Sequence, residues 1–114
     1  MDGGDKTMKT VEKKWGKEVW IINNKYYCGK FLYIHRGGQS SYHYHKKKME
    51  TFVCTDGSAK MIIDDKEFVL DRFSEPITIK PKTPHSFRSG LGAVLVEVST
   101  HHDEKDVVRL TESG

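Results

Sequence analysis

No window of this chain spaces its apolar residues like a helix over ten or more positions. Instead they fall into short runs rich in β-branched and aromatic side chains, at 18–22, 26–35, 42–45, 51–54, 59–63, 67–70, 77–79, 85–88 and 94–99. Asn23-Asn24, Gly37-Gly38, Asp56-Gly57, Asp64-Asp65 and the glycines at 90 and 92 stand between them as turn signals. Asp64-Asp65, set between two apolar runs, predicts a tight hairpin. Short strands at even spacing, with no internal repeat and no low-complexity linker, predict an all-β sandwich, barrel or jelly roll, architectures that limit exposed sheet edges.

The chain has 114 residues, enough for one core and one domain. We assign residues 11–112 to that domain and residues 1–10, polar and with two adjacent glycines, to a flexible N-terminal tail. Lys and Arg total 19 against 16 Asp and Glu, a balance that argues against a nucleic-acid partner. The densest basic run, Lys46-Lys47-Lys48, reads as a solvated loop. No apolar run approaches the ~20 residues of a membrane span, and the N-terminus lacks a signal-peptide stretch. A cytoplasmic protein without membrane contact is the expectation. Cys28 and Cys54 each lie in apolar runs and are expected to be reduced packing residues.

The chemistry is concentrated between Gly37 and Gly57. His43 and His45 are two apart in a strand and so project to one face. Glu50 opens the next apolar run, with Phe52 and Cys54 on its side of the strand. A third histidine, His85, follows the turn Pro81-Lys82-Thr83-Pro84. Three imidazoles and a carboxylate form a nitrogen and oxygen donor set suited to one divalent transition ion (Zn, Mn, Fe, Ni or Co) rather than Ca or Mg.

The spacing Gly37-x5-His43-x-His45-x4-Glu50-x6-Gly57 matches the first signature of the cupin superfamily, and Pro-Lys-Thr-Pro-His ending at His85 resembles the second. Lys82 stands where a Gly is usual in that turn, and Ser89 where an Asn often follows. The resemblance implies a cupin jelly-roll barrel, a double-stranded β-helix, with His43, His45, Glu50 and His85 as metal ligands.

Within the cupins the chain resembles the C-terminal barrel of type II mannose-6-phosphate isomerases. The stretches that carry this are Trp15-Gly16 with Glu18-Val19, Tyr27-Cys28-Gly29-Lys30, Ser40 to Glu50, Thr83-Pro84-His85, and Glu97-Val98 with the segment 104–109. The segment 104–109 has Lys105 at its middle acidic position, and His101-His102 precede it in place of a Gly-containing turn. This likeness implies a metal-dependent sugar or sugar-phosphate isomerase that interconverts aldose and ketose through an enediolate. It also implies a homodimer, with the stretch 15–22 as the natural contact.

Such a reaction needs a base for the carbon-bound proton. Glu97, an acid within the apolar run 93–98, is the candidate, against the alternative of an outward-facing strand residue. Lys30, set in an otherwise apolar strand, is a second catalytic candidate. Lys48, Arg88 and Tyr42 are candidates for binding the sugar or its phosphate. Trp15 and Trp20 are read as core, and His35 and His101 as surface residues. Two competing functions share the same ligand set: a non-haem Fe or Mn dioxygenase, and a non-catalytic metal-dependent sugar-binding or metabolite-binding module.

Overall fold

The computed structural model describes residues 8–114. Ten strands run in chain order: β1 Lys9–Lys13, β2 Gly16–Asn23, β3 Cys28–Ile34, β4 His43–His45, β5 Glu50–Ile63, β6 Lys66–Asp71, β7 Ile77–Ile79, β8 His85–Arg88, β9 Ala93–Ser99 and β10 Val107–Arg109. One 3₁₀ turn, Glu104–Asp106, precedes β10 and is the only helical segment among the described residues.

All strand pairs are antiparallel, and they form two curved sheets. One sheet contains β1, β2, β3, β9, the first half of β5, and β7. The other contains β6, the second half of β5, β8, β4 and β10. This is the expected all-β jelly-roll barrel.

β5 joins the sheets, and it corrects one expectation. Asp56-Gly57 was expected to reverse the chain between runs 51–54 and 59–63, yet β5 passes through it. Its register against β9 shifts between Cys54 and Asp56, a bulge that bends the strand from one sheet into the other. Gly57 is required there: its φ is +71°, and a Cβ would lie 2.3 Å from the Gly92 carbonyl oxygen.

The Asp64-Asp65 hairpin is present as a two-residue loop with Ile63 facing Lys66, and both loop residues have positive φ, as a type I′ turn demands. β1 begins earlier than the expected tail boundary. Lys9 and Thr10 pair with Trp20 and Val19. The rest of the expected tail, residues 1–7, lies outside the described residues.

Strand alternation sorts the side chains. Leu32, Ile34, Phe52, Cys54, Ala59, Met61, Leu70, Ile79, Phe87 and Leu95 pack as one core between the sheets. Trp15 closes it, edge-on to Phe87 with ring centroids 4.9 Å apart. Cys28 and Cys54 are both free and buried, as expected. The core fills one end of the barrel; at the other end the inward positions become polar, which opens a cup.

Candidate metal centre

β4 and β8 lie side by side with His43 opposite His85, so three histidines from two strands converge. One nitrogen from each of His43, His45 and His85 lies within 4.8 Å of the other two. The backbone fixes the direction of two of these rings. His43 Nδ1 is 2.9 Å from the Ser41 carbonyl oxygen, and His85 Nδ1 is 2.8 Å from that of Thr83. A carbonyl only accepts, so each Nδ1 carries a proton, which leaves Nε2 as the nitrogen each ring can offer a metal.

Glu50 adjoins this group from the opposite sheet. Its Oε2 lies 2.7 Å from His85 Nε2 and 3.4 Å from His45 Nε2. Despite this proximity Oε2 has no hydrogen-bond partner, and neither has the buried His45 Nδ1. Buried acceptors left unpaired are costly. A cation shared by the imidazoles and the carboxylate removes that cost, so the donor set fits a divalent metal held by three histidines and Glu50.

The electrostatics agree. Burial, and then the neighbouring His85, push the His43 imidazole down to about 3, so it is neutral and available as a ligand near pH 7. For Glu50, burial raises the carboxyl, but His45, His85 and Lys48 outweigh it and hold the group well below its ordinary value. Glu50 is a carboxylate.

The cup has a volume of about 440 Å³. Lys30, Lys48 and Glu97 line it, and each is at least 95% buried, with exposures of 1%, 2% and 4%. Glu97 therefore points inward, which settles the alternative of an outward strand residue. Lys48 Nζ lies 2.6 Å from Glu97 Oε2 and 3.3 Å from Glu50 Oε1. Burial lowers the Lys48 ammonium, but Glu97 and Glu50 together raise it above the ordinary lysine value. The solvated-loop reading of the basic run holds for the exposed Lys46 and Lys47 and fails for Lys48. Lys30 Nζ sits 3.3 Å from Glu18 Oε1 and 4.3 Å from the centre of the Trp20 ring.

Two expected binding residues are elsewhere. Arg88 alternates with the inward Phe87, lies outside the cup, and reaches Glu67 at 3.2 Å. Tyr42 alternates with His43 on the outer face, where its hydroxyl donates to Asp65 Oδ1 at 3.0 Å. The reason is the two-residue period: the neighbours of inward His43 and Phe87 point out. His35 and His101 are exposed, as expected.

The structure adds two residues to the cup that sequence reading passed over. Glu18 accepts from the Trp20 indole N–H at 2.8 Å and pairs with Lys30. Alternation did not mark it, because β2 is apolar at four successive positions, Val19 to Ile22, and so shows no inward face in the sequence. His102 is buried, with Nδ1 3.0 Å from Lys48 Nζ and Nε2 2.7 Å from Glu104 Oε1. It lies in irregular chain after β9, where no period exists to place it.

The fold is shared with solved structures of low identity. KdgF from Halomonas sp. superposes with a TM-score of 0.75 at 8% identity, over 85% of this chain and 89% of that one. The RmlC-like cupin from Shewanella frigidimarina superposes with a TM-score of 0.74 at 14% identity, over 92% of each chain. The capsular polysaccharide assembling protein CapF from Staphylococcus aureus gives 0.78 at 15% identity. That match covers 96% of this chain but 33% of CapF, so the present domain spans about a third of that protein. No curated protein matches the sequence. The family model described as FdtA: WxcM-like, C-terminal matches residues 7–113, and the chain therefore belongs to that cupin family.

Proposed function

We propose that this domain is a metal-dependent isomerase of a sugar or sugar phosphate, interconverting aldose and ketose. The observation that carries the reading is Glu97: a buried carboxylate, paired with Lys48 at 2.6 Å, in the same cup as the three converging histidines. A divalent ion bound there supplies a Lewis acid that polarises a carbonyl and stabilises negative charge on oxygen. Glu97 then takes the proton from the carbon bearing the hydroxyl and returns it to the neighbouring carbonyl carbon. The hydroxyl proton moves to the other oxygen, so atoms balance without any oxidant.

Lys48 holds Glu97 in place, and Lys30 and Glu18 offer hydrogen bonds to hydroxyls. Lys13, Lys14 and Arg109 at the cup's edge supply cations for a phosphate. The fold likeness to a protein named for capsular polysaccharide assembly supports a carbohydrate ligand. The finer likeness to mannose-6-phosphate isomerases rests on the sequence stretches alone.

The test is turnover of zinc-, manganese-, cobalt-, nickel- or iron(II)-loaded protein on a panel of hexose and pentose phosphates and free sugars. Interconversion is expected, with Glu97→Gln lowering kcat by ~10²–10⁴-fold, the range of general-base removal. No turnover across the panel would overturn the reading. Sugar binding by calorimetry without turnover would shift the assignment to a binding module.

A further inference from the structure

Lys48 is placed unlike any other lysine among the described residues. Its Nζ is surrounded by three acceptors: Glu97 Oε2 at 2.6 Å, His102 Nδ1 at 3.0 Å and Glu50 Oε1 at 3.3 Å. An ammonium has three protons to give, and here three buried groups receive them. Two carboxylates and an imidazole around one point also form a donor set that binds divalent metals. His102 is held to that point from behind. Its Nε2 donates to Glu104, and its backbone N–H and C=O are both bonded to the Asn23 side chain.

We propose that the Lys48 ammonium is a built-in cation filling what would otherwise be a second metal position, formed by Glu50, Glu97 and His102. The inference rests on the metal reading of the three-histidine site and extends it. Lys48 occupies Glu50 Oε1, which leaves only Oε2 for the metal, and it holds Glu97 back from ligation so that this carboxylate stays free as a base. Without a positive charge there, two buried carboxylates would face each other uncompensated, a state that protein interiors strongly disfavour. A divalent ion is the substitute whose charge and ligand preferences fit. Lys48 is thus a positioning residue that sets metal stoichiometry at one.

The experiment counts metal. Wild type, Lys48→Met, Lys48→Arg and the double variant Lys48→Met/His102→Ala are dialysed against cobalt(II), and bound metal per chain is measured by elemental analysis. The expected values are one, two, one and one. Two equivalents in the wild type, or one in Lys48→Met, would overturn the proposal and leave the isomerase reading standing. No metal on the wild type would remove the metal centre itself, and this inference with it. If Lys48→Met is unfolded without metal, recovery of its β-sheet circular dichroism with two equivalents of cobalt supports the proposal. Failure to recover overturns it.

Discussion

His43 shows at the scale of one residue what burying an imidazole in a candidate metal site costs. Its imidazole is held down to about 3 by burial and by His85 beside it, against an ordinary value of 6.5. In the unfolded chain the same ring takes up a proton below pH 6.5, so between that value and about 3 the unfolded state binds more protons. Stability then rises with pH across this window and is lost as the solution is acidified. Metal-free protein unfolded by guanidinium at a series of pH values is expected to show this slope, and His43→Gln to flatten it. A wild-type profile level between pH 6.5 and 4 would contradict the burial argument. In the folded protein protons compete with the ion for this nitrogen only as the pH nears 3, so the His43 contribution to metal affinity should persist across most of the window.

At the scale of elements, the turn that delivers His85 carries a visible strain. Lys82 has φ of +68°, a left-handed conformation that costs an L-residue with a side chain roughly 1–2 kcal/mol. Its N–H donates to the His45 carbonyl oxygen at 2.6 Å, which ties the turn before β8 to the strand bearing the other two histidines. Glycine adopts this conformation freely. Lys82→Gly is therefore expected to raise stability by about 0.5–1 kcal/mol, after allowing for the greater unfolded-state freedom of glycine. Thermal melting checks it, and a fall in Tm would mean that the Lys82 side chain contributes something the backbone argument omits. β4 is likewise too short to stand alone. It is held between β8 and β10, whose residues Val107, Val108 and Arg109 pair with His45, Tyr44 and His43.

At the scale of the whole molecule, the outer face of the larger sheet is apolar along its central strands. Phe31 and Tyr33 on β3, Val94, Val96 and Val98 on β9, and Val53 on β5 alternate with the inward residues of the same strands, and Val98 is 55% exposed. Strands that are apolar on both faces belong in a sheet covered on both sides. The homodimer implied by the family resemblance would cover this face by packing one copy's sheet on the other's, and Val19 and Ile21 of the stretch 15–22 extend it. Trp15, also within that stretch, is committed to the core. Sedimentation equilibrium is expected to return twice the 13.1 kDa chain mass, and a mass of one chain would end the expectation. Among the described residues no helix is long and apolar enough to cross a membrane.

The sequence by itself determined the all-β class, the hairpin at Asp64-Asp65 and the cluster of His43, His45, Glu50 and His85. The first two follow from local rules, period-two alternation and turn chemistry, and spacing along one strand and into the next joins His43, His45 and Glu50; His85, far along the chain, was placed by the family resemblance. Alternation could also have turned Tyr42 and Arg88 outward, had it been applied to the neighbours of His43 and Phe87. Only the tertiary structure decided that Asp56-Gly57 bends a strand instead of reversing it, because a bulge and a turn use the same residues. Only it brought His102 to Lys48, across 54 positions of chain and from a segment without regular period. The charge of Lys48 was legible; that it sits buried between two carboxylates was not, because burial is a property of what the rest of the chain packs around a residue.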